Sequence, residues 1–152
     1  MDTMPRFLAA YATRRRGWLS CAFLTLALVG CTKAPPPAAG PRLYAIDQMG
    51  ASTRCEAGAL VIKPAAAMAT KMTLANSGGW CGLFLSQANG DPFAAGLVKQ
   101  MPAHGKIYVH TVGDRTRVDY TPDRFFHGSD SFAIKLLPGD GTLTVSVVVQ
   151  PQ

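Results

Sequence analysis

The run FHGSDSF, Phe126 to Phe132, places Ser129 and Ser131 beside a histidine, His127, and a carboxylate, Asp130. Serine, base and acid are the parts of a nucleophilic site, in which the imidazole takes the hydroxyl proton and the carboxylate orients the imidazole. Neighbouring side chains on an extended strand point to opposite faces, however, so these residues do not converge by spacing alone. Gly128 permits a positive φ at a turn, and an aspartate there accepts hydrogen bonds from nearby backbone amides. The run therefore reads as turn chemistry, no catalytic residue is assigned, and the chain is not expected to be an enzyme.

Metal chemistry finds no better footing. The three histidines, His104, His110 and His127, fall in a PAHG turn, on an outward strand face and in the FHGSD turn. A zinc site needs about four converging ligands, and nothing in this spacing arranges them. Asp140 in PGDG offers one carboxylate where calcium takes roughly six to eight oxygens. No metal or cofactor is expected.

The front of the chain says where such a domain would work. Arg14, Arg15 and Arg16 precede an apolar run from Trp18 to Val29, too short to span a bilayer at about 20 residues. A basic flank, an apolar core and small residues before a cut have the layout of a secretory signal over residues 1–30. The segment Leu28-Val29-Gly30-Cys31 resembles the lipobox of bacterial lipoproteins. That resemblance implies diacylglycerol on the Cys31 sulfur, cleavage before Cys31 and acylation of the new amino terminus. It also implies a membrane partner, since two or more acyl chains hold a protein durably to a bilayer. In Gram-negative lipoproteins an aspartate after that cysteine signals inner-membrane retention. Thr32 stands there instead, which points to the outer membrane. The run RRRGWLS also resembles a twin-arginine signal, so two export routes stay open. Residues 31–42, ending TKAPPPAAGPR, read as a Pro/Ala-rich tether able to hold a domain about 30 Å from the lipid.

Export sorts the four cysteines. Cys21 leaves with the signal, Cys31 takes the lipid, and Cys55 and Cys81 form an even pair in an oxidising compartment. Two lone cysteines make a poor zinc cage, so a disulfide between them is expected. Of the formal charge of +6, four arginines and one aspartate lie in residues 1–30, leaving about +3 for the remainder. No cluster of lysine or arginine survives there, which excludes the electrostatic footprint of a nucleic-acid partner.

Residues 43–152 are long enough for one core. They read as short strands between turn residues: Leu43–Asp47, Ala59–Lys63, Lys71–Ala75, Trp80–Gln87, Gly96–Gln100, Lys106–Val112, Arg115–Thr121, Ser131–Leu137 and Thr142–Gln150. Pro64 to Met72 reads as a connection or irregular strand. A two-residue turn at Gly113-Asp114 sets Thr111 against Thr116, Val109 against Val118 and Ile107 against Tyr120 on an inner face. It leaves His110 against Arg117 and Tyr108 against Asp119 for solvent. Phe132, Ile134 and Leu136, then Leu143, Val145, Val147 and Val149, give the last two strands one apolar face each. Sheets so patterned hide those faces by packing together, which predicts an all-β, antiparallel sandwich of about seven to nine strands.

From Met101 to about Gln150 the chain resembles a bacterial Ig-like, cadherin-like module. The resemblance is carried by PAHGK (Pro102 to Lys106), a Gly-Asp hairpin, YTPDRFFHGSDSF (Tyr120 to Phe132) and GDGTLTVSVVV. Tyr120, Thr121, Pro122, Phe126, Gly128, Asp130, Ser131 and Phe132 fall on the family pattern. It implies an Ig-like sandwich and says little of function, because one such scaffold hosts many roles. The first half, with Cys55 and Cys81, departs from the usual modules, and Trp80 beside the second cysteine does not fit the antibody pattern. The expected role is a lipid-anchored envelope protein with a non-catalytic module that binds a protein or glycan or supports an assembly. The alternative is an inhibitor or accessory subunit of an exported enzyme or a secretion or pilus assembly, acting through a loop such as SQANGDPF.

Overall fold

The computed structural model describes residues 42–152. The signal over 1–30, Cys31 and the tether as far as residue 41 lie outside the described residues. A short 3-10 helix, Ala45–Gln48, precedes nine strands: β1 Cys55–Ala57, β2 Ala59–Ile62, β3 Ala67–Ala75, β4 Cys81–Gln87, β5 Ala95–Gln100, β6 Gly105–Val112, β7 Arg115–Pro122, β8 Gly128–Leu137 and β9 Gly141–Gln150. They form a five-stranded sheet in the order β1-β3-β9-β8-β5 and a four-stranded sheet in the order β2-β4-β7-β6.

Period-two alternation explains why these sheets face each other. Phe132, Ile134 and Leu136 of β8 and Leu143, Val145, Val147 and Val149 of β9 are buried on one side of the larger sheet. Leu83 and Leu85 of β4, with Val118 and Tyr120 of β7, are buried against them from the smaller sheet. Full burial of each large apolar side chain contributes roughly 1.5–3 kcal/mol, so the shared core holds the two layers together. The β6–β7 hairpin has the register predicted from its turn, with Val112 opposite Arg115 and Ile107 opposite Tyr120. Cys55 on β1 and Cys81 on β4 form a disulfide that bridges the two sheets.

Five details depart from the sequence reading. The sandwich is mixed rather than purely antiparallel: β3 runs parallel to β9 and β2 parallel to β4. Alternation reports faces, not directions, and only tight hairpins declare themselves antiparallel. Here β3 crosses to the opposite sheet between β2 and β4, which leaves those two side by side and parallel. Leu43–Asp47 is not a strand. The Asp47 carboxylate accepts from the Tyr44 amide at 2.8 Å and the Asp47 amide donates to the Tyr44 carbonyl at 2.9 Å, a local closure that competes with a ladder. Pro64 to Met72, read as a connection or irregular strand, is regular strand β3 from Ala67. Strand β1, three residues long, had no visible period.

The fifth departure concerns the face assigned to solvent. Arg117 and Asp119 on β7 are only 4% and 6% exposed. Residues 43–52 lie across that outer face as a strap, with Ala51 bridged to Trp80. Period two assigned the correct face, but an added layer covers it.

Candidate functional site

Three clusters of side chains have chemistry to offer. The first is the FHGSDSF run. Asp130, half-buried at the start of β8, accepts the amides of Ala103 (2.9 Å) and Ser131 (2.8 Å) on Oδ1. On Oδ2 it accepts the His104 amide (2.9 Å) and the Tyr120 hydroxyl (2.9 Å). Burial pushes the Asp130 carboxyl up, but those backbone donors, with the Tyr120 hydroxyl, outweigh it and hold it below the usual carboxylate range. Tyr120 moves the other way: burial, then its bond to Asp130 and the nearby negative charge, push its hydroxyl well above its usual value. The His104 ring stacks on Phe126 with centroids 4.2 Å apart.

Asp130 thus ties the PAHG turn to the FHGSD turn, and both close on one carboxylate. Ser131 Oγ accepts from the Gln100 side-chain amide at 3.1 Å, while His127 and Ser129 are exposed. No hydrogen bond joins His127 to Ser129 or Ser131 among the described residues. The serine, histidine and aspartate are neighbours in sequence without being partners in space.

The second cluster was not assigned from the sequence, where His110, Arg117 and Asp119 read as solvent-facing. The Arg117 guanidinium meets the Asp119 carboxylate twice, Nε to Oδ1 at 2.7 Å as an ion pair outside hydrogen-bond alignment, and Nη2 to Oδ2 at 2.9 Å. Its Nη1 donates to the Asp47 carbonyl at 2.6 Å, and its carbon lies 3.9 Å from the Trp80 ring centroid. His110 Nε2 is 2.9 Å from Asp119 Oδ2, and the Trp80 indole donates to the Met49 carbonyl at 3.1 Å. Gly82 is required here, since a Cβ would stand 2.8 Å from Asp119 Oδ1 and 2.9 Å from Arg117 Cδ. A buried ion pair with one aligned hydrogen bond, stacked on an indole, is a strong local clamp. What it grips is the strap. The signal was Trp80 itself, a large ring immediately before Cys81.

The third cluster follows from which loops share an end. The described chain enters at Arg42, whose amide donates to Asp114 Oδ1 at 3.2 Å, beside the β6–β7 turn. Gly113 there has φ +59° and carries the Arg42 carbonyl so closely that any Cβ would overlap it. The SQANGDPF loop lies at this same end. Phe93 is buried, its amide donates to Thr116 Oγ1 at 2.7 Å, and Asn89 and Asp91 bond each other. Beside it a cavity of about 190 Å³ is lined by Ile62, Pro64, Gln87 and Phe93. The loop reserved for plugging an enzyme is thus anchored by its own phenylalanine, and only its tip protrudes.

At the opposite end, one length of β7 away (about 25 Å for eight residues), the Asp123–His127 loop carries Phe125. That ring is 80% exposed on a backbone with φ +66°. A bulky residue in the left-handed region is uncommon and costs roughly 1–2 kcal/mol. Asn76 holds the loop in this shape, its amide nitrogen donating to the carbonyls of Asp123 and Phe126, both at 2.9 Å. The Arg124 guanidinium carbon lies 4.7 Å from the Phe125 ring centroid.

Among the described residues no three His, Cys, Asp or Glu side chains are placed to hold a metal ion. No known family model matches the chain, and no curated protein matches it significantly.

Proposed function

We propose that this chain is a lipid-anchored envelope protein whose Ig-like β-sandwich is a non-catalytic binding or structural module. The anchor rests on the order of basic flank, short apolar core, Leu28-Val29-Gly30-Cys31 and proline-rich tether. Acyl groups on Cys31 and the new amino terminus tie the protein to the membrane, and Thr32 favours the outer one. The single observation that carries the module's role is its polarity. The chain joins the sandwich beside Asp114, and the strained, solvent-facing Phe125 stands at the other end. A tether held at one end presents the other outward.

Catalysis is disfavoured because the carboxylates best placed for it are already in use. Asp130 is saturated by four donors, and Asp119 is shared between Arg117 and His110. Labelled fatty acid is expected to enter the wild-type protein and not Cys31→Ser; equal labelling of both removes the anchor. Partner recovery from solubilised envelope then tests the module, with capture expected to survive His127→Ala and Ser129→Ala. Loss of partner in both variants, with folding intact, would make the motif a site.

A further inference from the structure

Among the described residues, Phe125 is the one large apolar side chain held in solvent on a left-handed backbone. Its neighbours fix this arrangement from both sides. Phe126 turns inward onto His104, and the Phe126 amide closes the turn on the Asp123 carbonyl at 3.1 Å. The Asn76 amide nitrogen donates to that same Asp123 carbonyl and to the Phe126 carbonyl, which leaves Asn76 Oδ1 without a hydrogen-bond partner among the described residues.

The Phe125 ring stands between two hollows. One, about 440 Å³, is lined by Asn76, Ser77, Gly78, Arg124 and Phe125. The other, about 220 Å³, is lined by Asn76, Phe125, Phe126 and His127. Arg124 covers one face of the ring and has no ion pair among the described residues, so its donors are free for an anion. The site therefore offers an aromatic face, an unused amide acceptor and a guanidinium fork within a few residues. Sites that orient a ligand combine such an aromatic wall with a few placed polar groups. A docked protein would want more apolar surface around its aromatic anchor. None of the other large, exposed apolar residues lines either hollow.

We propose that the Phe125 tip is a binding site for acidic glycans. A pyranose lies with its C–H face on the phenyl ring, its carboxylate on Arg124 and a hydroxyl donated to Asn76 Oδ1. Two hollows sharing one ring suit consecutive sugars passing over Phe125. The inference deepens the binding-module reading and rests on it, but does not need the anchor.

The test uses full-length Cys31→Ser protein, titrated by calorimetry with hexagalacturonate and with its neutral methyl ester. The acid is expected to bind at least about tenfold tighter than the ester, and to weaken with added salt as screened charge pairs do. Phe125→Ala should weaken both ligands about tenfold or more. Arg124→Gln should erase the preference for the acid while leaving the ester unchanged. Absence of saturable binding, equal affinity for acid and ester, or indifference to Phe125→Ala in a variant with an unaltered melting curve overturns the proposal. If glycans fail while Phe125→Ala abolishes recovery of a protein partner, the tip docks a protein. The glycan inference is then wrong and the binding-module reading stands.

Discussion

Replacing Asp130 by asparagine keeps its shape and removes its charge and one of its two acceptor oxygens. The wild-type carboxylate accepts two donors on each oxygen: Ala103 and Ser131 amides on Oδ1, the His104 amide and the Tyr120 hydroxyl on Oδ2. An amide oxygen satisfies one pair, and its NH₂ group then faces the other pair of donors. Hydrogen bonds to a charged group contribute about 1.5–3 kcal/mol each where buried, and less where the amides reach water, as at Ala103 and His104. The expected loss is about 2–3 kcal/mol at neutral pH. At roughly 4 °C per kcal/mol for a domain of this size, the melting point falls about 8–12 °C. The pH dependence carries a sign. The folded carboxyl titrates below its unfolded value near 4, so its contribution is complete above about pH 4. It is lost as pH falls through the folded pKa, and wild type and Asp130→Asn should converge in strongly acid solution. Urea melts followed by Trp80 fluorescence at several pH values measure this. A difference below about 0.5 kcal/mol at neutral pH, or one that persists undiminished in acid, would refute the account.

Three other perturbations test other parts of the molecule. Cys55→Ala opens a loop with a sequence separation of 26 and should cost about 3 kcal/mol on the chain-entropy model, whereas free thiols in the non-reduced wild-type domain would contradict the bond. Arg117→Ala strands the buried Asp119 carboxylate and should destabilise by about 3–5 kcal/mol, with faster chymotryptic cleavage at Leu43 and Tyr44 as the strap loosens. A loss under 1 kcal/mol (about the value of an exposed pair) would mean the clamp contributes little. Phe125→Gly should be more stable than Phe125→Ala by roughly 0.5–1 kcal/mol, since only glycine relieves the left-handed backbone; equal melting points would remove the strain argument.

The parts of the fold that could be read from the sequence are those set by short-range rules. A two-residue turn fixes register, so the pairings from Val112–Arg115 to Ile107–Tyr120 followed from the sequence alone. One apolar face per strand made the buried sides of β8 and β9 legible. The Asp130 turn was readable because aspartate beside a turn glycine has few other uses. Other features depend on contacts between distant residues. The parallel pairings of β2 with β4 and β3 with β9 join segments whose order in a sheet no alternation records. Arg117 and Asp119 look solvent-facing until a strap with its own local closure is laid over them. Phe125 looks like half of an aromatic pair, and only the Asn76 clamp turns it outward while Phe126 turns in.

The bridge between β1 and β4 has a mechanical consequence. A pull on the chain ahead of the domain loads Arg42 first, then strips the strap from Arg117 and Trp80, releasing residues 43–54. That slack is roughly 40 Å of extended chain. At Cys55 the tension meets the disulfide and passes sideways into Cys81, in the middle of the core, bypassing β1 to β3. Until the bond is reduced, the segment between the two cysteines, which holds β2 and β3, is closed off from the pull. The strap then serves as an extensible buffer and the disulfide as its stop. Under force spectroscopy the oxidised protein should show a first step limited to about that slack, and the reduced protein one that continues into the sheets.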